Sequence, residues 1–241
     1  MTTNMRTLVK KICRTPFNVI GLDITRYKKK LKPLTFLVDY EIKTVIDAGA
    51  NVGQFALEVR EVLPDAQIHS FEPMAECFIK LKNNFKNDNF FTAYNYALGE
   101  CTEKKVIFKN DYAPSSSLLK NTEFQEETFP FTKKSTEEEI SIERLDTLLP
   151  IEGIEENILF KLDVQGYEDK VLKGAEKILA KTKIVLIETS FYAFYKDQPL
   201  FDEIYSLLNT LGFRYHGSTH QKRHPKNNEP LFEDSIFIRN K

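Results

Sequence analysis

The stretch "TVIDAGANVGQFALEVRE", Thr44–Glu61, decides the fold. Its first residues, Thr44–Ala48, are apolar or β-branched apart from Asp47, as in a strand buried on both faces of a sheet. Gly49-Ala50-Asn51-Val52-Gly53 follows as a turn, and "VGQFALEVREVL" then runs with helical periodicity until Pro64 closes it. Strand, glycine turn and helix form the first half of a βαβ unit. Such a turn sits at the carboxyl ends of the strands, where an open parallel sheet holds nucleotide-like ligands.

Outward from that unit, strand and helix alternate. "QIHSF" reads as a strand, "MAECFIKLKNNF" as a helix and "FFTAYNYAL" as a strand. "KKVIFK", "EISIERL", "NILFKLDV" and "KIVLIET" read as further strands, with helices at "YEDKVLKGAEKILA" and "PLFDEIYSLLNTLG". "FRYHGS" and "DSIFIRN" close the chain as strands at one sheet edge. The alternation predicts an α/β fold of three layers, Rossmann-like, around a mostly parallel sheet. "MRTLVKKICR" and "LKPLTFLVDYEI" read as helices ahead of it, so residues 1–41 form a basic helical extension and residues 42–241 the main domain. Residues 110–138 and 216–230 fit no regular element and read as a lid-like insertion and a polar loop.

The glycine turn lacks the G-x-G-x-x-G spacing that brings a pyrophosphate to a helix N-terminus, which argues against a nicotinamide oxidoreductase. It also places an acid, Asp47, two residues before Gly49, where it would oppose a diphosphate. An acid suits a cofactor with an ammonium group and no phosphate, and S-adenosylmethionine is one. Gly49 and Gly53 would let the backbone approach its methionine moiety, and Asp47 would face its amino group. Glu72, 23 residues past Gly49 in "SFEP", stands near the offset at which a carboxylate grips a ribose diol. Glycines serving only tight packing are the alternative.

The ordered set "VIDAGANVGQF", "SFEPMAECFIKLKNN", "NYALGE", "SSSL", "LFKLDVQGYEDKVLKGA", "VLIETSF" and "EDSIFIR" resembles the FkbM family of S-adenosylmethionine-dependent methyltransferases over about residues 42–240. The resemblance implies the class I methyltransferase fold, with a seven-stranded sheet whose last strand is antiparallel. It implies O-methylation of sugars or secondary metabolites, as in polysaccharide biosynthesis, with S-adenosylhomocysteine as the product. It carries cofactor contact onto Asp47, Gly49, Asn51, Gly53 and Glu72, with Asn95, Tyr96 and Ala97 flanking the adenine.

An alcohol holds its proton until a base removes it or a metal polarises the oxygen. Asp163 ends the "NILFKLDV" strand and Glu188 the next, so neighbouring strands would bring both to the carboxyl edge of the sheet. Asp163 is the candidate base, Glu188 its partner, and Lys161 shares the face of Asp163. Helix capping by these acids is the alternative, and it is stronger still for Glu168. Two carboxylates make Mg²⁺ a candidate, although no adjacent Asp-Asp pair follows. For the acceptor, Tyr192 and Tyr195 in "TSFYAFYKD" offer ring faces and hydroxyls, with core packing as the alternative. Ser116 in "SSSL" and His216 and His220 in the polar loop are further candidates, the histidines for an acidic sugar or phosphate.

Residues 1–32 carry nine Lys/Arg against Asp23 alone, while the rest of the chain holds 25 basic and 34 acidic residues. The basic arm suggests weak contact with an anionic membrane surface, and the acidic body disfavours nucleic acid. The absence of an Asp/Asn-Pro-Pro-Tyr/Phe motif also argues against amino-group methylation. Three widely spaced cysteines, no apolar run long enough to span a bilayer and no clear signal peptide fit a cytoplasmic protein, with any peripheral membrane contact resting on the basic arm. The expected partner is a small-molecule or glycan acceptor. The rival reading is a non-catalytic cofactor-binding or interaction module in a biosynthetic complex.

Overall fold

The structure is a computed structural model that describes residues 32–240. The helix expected at "MRTLVKKICR", Cys13 and nearly all of the basic arm lie outside the described residues. The strands are β1 (Thr44–Ala48), β2 (Gln67–Phe71), β3 (Phe91–Tyr94), β4 (Ala97–Leu98), β5 (Glu103–Asn110), β6 (Ser135–Glu143), β7 (Ile158–Leu162), β8 (Thr182–Ser190), β9 (Phe213–Arg223) and β10 (Pro230–Arg239). The α-helices are α1 (Gln54–Arg60), α2 (Ala75–Asn84), α3 (Glu123–Thr128), α4 (Leu145–Leu148), α5 (Glu168–Lys173), α6 (Glu176–Lys181) and α7 (Phe201–Thr210).

Seven strands form the main sheet in the order β3-β2-β1-β7-β8-β10-β9. β3, β2, β1, β7 and β8 run parallel, and β10 enters antiparallel between β8 and β9. The last strand is thus antiparallel, as expected, and β10 and β9 together close that edge of the sheet with β9 outermost. β1 and β7 are buried at every residue, which is why they read as nearly continuous apolar runs. Alternate residues feed two cores: Ile46, Ala48, Phe160 and Leu162 on one face, Val45, Ile68, Leu159 and Ile184 on the other. Leu34 and Leu37 join the second core from a 3-10 helix, Pro33–Tyr40, so the compact unit begins before the expected boundary at residue 42.

Three segments differ from the sequence expectation. "FFTAYNYAL" is not one strand. Asn95 Nδ2 donates to the carbonyls of Glu72 and Pro73, both at 2.9 Å, and this turns the chain out of the main sheet. Ala97–Leu98 then pairs with β6 in a second sheet of order β4-β6-β5. "YEDKVLKGAEKILA" is two helices, because Asp146 accepts the N–H groups of Lys177 and Ile178 at 3.0 and 3.1 Å and gives α6 its own start. Residues 216–230 are mostly the β9–β10 hairpin, bent by three register shifts.

The 110–138 insertion is also ordered. Asn110 Nδ2 donates to the carbonyls of Thr132 and Lys134, at 2.7 and 3.2 Å. Thr122 caps α3 by accepting from the Gln125 N–H at 3.2 Å, and its hydroxyl donates to the Ala193 carbonyl at 2.8 Å. The Asn110 bonds close the insertion on itself, and the Thr122 bond straps it across the segment that follows β8. Among the described residues no helix is long and apolar enough to cross a membrane.

Candidate active site

The turn after β1 is built by the sheet register. Parallel pairing sets Asp47 beside Ser70 of β2 and Lys161 of β7, so the three side chains share one row. Lys161 Nζ lies 3.1 Å from Asp47 Oδ1, and Ser70 Oγ donates to Asp47 Oδ2 at 3.2 Å. Lys161 also donates to the carbonyls of Ala48 and Gly49, at 3.3 and 3.0 Å, and stands 3.9 Å from Asp163 Oδ2. Burial works against its charge, yet Asp47, Asp163 and Glu188 together hold its pKa above the usual lysine value. Asp47 is fully buried and is not among the residues lining the adjoining cavity. It anchors Lys161, which pins the end of β1.

Gly49 lines that cavity with φ +74°, and a Cβ there would fall 1.9 Å from the Asp163 carbonyl oxygen. The turn and the loop after β7 therefore touch backbone to backbone. Gly53 faces α2 instead, where a Cβ would meet Phe85 at 2.5 Å and Leu81 at 2.8 Å. Packing thus explains Gly53, the alternative raised by the sequence.

Glu72 accepts from the N–H groups of Asn51 and Met74, both at 2.8 Å, which places its carboxylate in the wall of the cavity. Burial raises its pKa from 4.5 to about 7. The cavity holds about 350 Å³ and is also lined by Asn51, Tyr96, Ala97 and Ser116. Asn95 is not in its wall and shapes the loop from behind through the bonds to Glu72 and Pro73.

At the carboxyl ends of β7 and β8, Asp163 and Glu188 are brought together by a residue the sequence reading did not single out. Gln165 Nε2 donates to Asp163 Oδ1 at 2.7 Å and to Glu188 Oε1 at 3.1 Å. Tyr195 Oη donates to Gln165 Oε1 at 2.6 Å, which fixes the orientation of the amide. Gln165 takes φ +54°, and its carbonyl accepts from Ser117 Oγ at 2.6 Å. Asp234 was missed as well. It pairs in register with Glu188 and also lines the first cavity. Burial, then Asp163, Glu168 and Asp234, push Glu188 well above the ordinary carboxylate range, and burial lifts Asp234 to about 6.

Glu168 opens α5 and accepts from the N–H groups of Val164 and Gly166, at 3.1 and 3.2 Å, while burial raises it to about 7. It braces the loop ahead of α5 from inside rather than capping the helix, whose start carries no side-chain cap bond. The folded chain holds protons on Glu72, Glu168 and Asp234 that the unfolded chain releases, so stability should fall as pH rises from about 4.5 to about 7. Thermal denaturation across that range checks this, and Glu168→Gln should flatten the decline.

A second cavity of about 310 Å³ lies against the first and shares Pro114, Asp163, Gln165 and Glu188 with it. Its other walls include Phe129, Phe194, Tyr195 and Phe232, with His220 and Lys222 from β9. Tyr195 therefore stands at the site, whereas Tyr192 stacks on Phe124 at 5.0 Å and donates to Glu229 at 2.5 Å, outside both cavities. His216 is exposed and also lines neither cavity. Among the described residues no group of three or more His, Cys, Asp or Glu is disposed to hold a metal ion.

The sheet order, the antiparallel β10 and a ligand cavity at the carboxyl ends of β1, β2 and β7 define a class I methyltransferase fold. The chain belongs to the FkbM methyltransferase family, whose domain model, "Methyltransferase FkbM domain", matches residues 47–215. It is similar to "Methyltransferase sdnD" of Sordaria araneosa, 27% identical over 193 residues, covering 70% of this chain and 73% of that protein. It is similar to "2-O-methyltransferase NoeI" of Sinorhizobium fredii (strain NBRC 101917 / NGR234), 22% identical over 188 residues, covering 73% and 75%. Among solved structures, an rRNA methylase from Streptococcus thermophilus aligns at 12% identity and TM-score 0.48, covering 89% of this chain and all of the other.

Proposed function

We propose that the chain is an S-adenosylmethionine-dependent O-methyltransferase acting on a hydroxyl of a sugar, glycan or small secondary metabolite. The observation that carries this reading is the pair of cavities joined across Asp163, Gln165 and Glu188. The first cavity is lined by Glu58, Glu72, Asp163, Glu188 and Asp234 against one base, Lys161, which Asp47 already engages. Such a wall repels a phosphate and favours a cation, so the residues present fit S-adenosylmethionine. Glu72 would hold its ribose hydroxyls, with Gly49, Asn51 and Tyr96 around it. When bound, the cofactor supplies a methyl group on a sulfonium.

The chain's own residues do the rest. Burial and its acidic neighbours push Glu188 toward its protonated form. Asp163, whose side chain is 41% exposed at the junction of the two cavities, is the carboxylate an acceptor can reach, so the role of base falls to it. Asp163 takes the proton of an acceptor hydroxyl seated in the second cavity, and Gln165 holds its carboxylate in place. The name of NoeI supports oxygen as the methylated atom. A cofactor-binding module without catalysis would have no use for a base shared between two cavities. The free thiols of Cys77 and Cys101 accord with the cytoplasm as its location.

Calorimetric titration with S-adenosylhomocysteine tests the reading. If the ribose hydroxyls need ionised Glu72, binding releases a proton and affinity rises with pH. With Glu72 titrating at about 7, the gain is about tenfold between about pH 6 and about pH 8. Glu72→Gln should weaken binding and abolish the slope. Failure of S-adenosylhomocysteine to bind the unaltered protein would sink the reading.

A further inference from the structure

We propose that the second cavity seats an acidic sugar, a hydroxylated ring bearing one carboxylate, as the methyl acceptor. This rests on the methyltransferase reading and deepens it. The first support is Gln125. Its side-chain oxygen is buried with no hydrogen-bond partner, on a residue only 4% exposed that lines the cavity. An orphaned acceptor of this kind costs stability unless a ligand supplies a donor, and a ring hydroxyl is such a donor. The main-chain N–H of Gln125 donates to the Thr122 hydroxyl, so the residue is held beside the cavity by an ordered helix.

The second support is the shape and chemistry of the walls. Phe194 sits between Phe129, at 6.0 Å between centroids, and Phe232, at 5.7 Å and nearly perpendicular. Ring faces of this kind pack against the C–H face of a sugar. The third is the charge gradient. Asp163 and Glu188 occupy the junction with the cofactor cavity, where a hydroxyl belongs. His220 and Lys222 stand on one face of β9, and Lys222 Nζ lies 5.9 Å from the Phe129 ring centroid. Among the described residues Lys222 has no ion-pair partner, so its charge is available to a ligand carboxylate. A ring with a hydroxyl at one end and an anion at the other satisfies both ends of the cavity.

The test uses the full chain saturated with S-adenosylhomocysteine and follows methyl β-glucuronide, methyl β-glucoside and glucose 6-phosphate by ligand-observed NMR titration. The glucuronide should bind about fivefold tighter than the glucoside. Lys222→Gln should erase that preference and leave the glucoside unchanged. Gln125→Met should weaken both glycosides without lowering the thermal midpoint, since it removes an unsatisfied buried oxygen. Equal affinity for the two glycosides, or no binding of either, overturns the proposal. So does tighter binding of the phosphate than of the glucuronide, or a Gln125→Met variant that binds normally. Failure of S-adenosylhomocysteine itself to bind overturns instead the reading on which the proposal rests.

Discussion

Asp163→Asn should lower methyl transfer by about 10²–10⁴-fold and leave S-adenosylhomocysteine affinity within about twofold of the unaltered protein. The substitution keeps the size of the side chain and an oxygen that accepts from Gln165 Nε2, now 2.7 Å from Asp163 Oδ1. It removes the negative charge that faces Lys161 at 3.9 Å and, with it, the capacity to take a proton. The companion variant Glu188→Gln should cost far less, within about tenfold. Burial and its acidic neighbours favour the neutral form of Glu188, so an amide in its place mimics that form and keeps the oxygen that Gln165 meets at 3.1 Å. The measurement is S-adenosylhomocysteine release with any hydroxylated acceptor that the unaltered protein methylates. Equal losses in both variants would show that the two carboxyls act as one unit. An active Asp163→Asn variant would show that Asp163 is not the base.

The parts of the site that were legible in the sequence are those built from short stretches of chain. The Gly49–Gly53 turn and Glu72 are separated by one helix, so the βαβ rule alone brings them to the same edge. Asp163 and Glu188 follow from the same rule once β7 and β8 are neighbours. Asp47 was read toward the cofactor because it precedes the turn. Its actual partners, Ser70 and Lys161, come from strand register, and register is a property of the assembled sheet.

Gln165, Asp234 and Gln125 were illegible for the same reason. Gln165 lies within the quoted "KLDVQGYE" run, but its bonds to Asp163 and Glu188 depend on a positive φ and on two adjacent strands. Asp234 becomes part of the site only because β10 inserts antiparallel beside β8, which sets it opposite Glu188. Gln125 looked like one polar residue in a polar insertion. Its burial follows from the closure of the insertion by Asn110 and from the strap that Thr122 makes across the segment after β8. "FFTAYNYAL" likewise carries a continuous strand propensity, which the side-chain bonds of Asn95 override.

Gly49→Ala should destabilise the fold by about 3 kcal/mol and reduce S-adenosylhomocysteine affinity by more than about tenfold. Two costs combine at this position. At φ +74° an L side chain is strained, and the new Cβ would lie 1.9 Å from the Asp163 carbonyl oxygen. That oxygen belongs to backbone, so no rotamer change relieves the clash. The turn after β1 and the loop after β7 must separate. For a domain of this size the loss corresponds to a fall in Tm of about 6–12 °C. The same separation displaces Asp163 and draws the Gly49 carbonyl from Lys161, which now donates to it at 3.0 Å, so binding and catalysis should fail together. Gly153→Ala is the control, since a Cβ there meets nothing within 4 Å, and both Tm and affinity should hold. A Gly49→Ala variant with unchanged Tm would show that the two loops are not in the backbone contact on which the cavity depends.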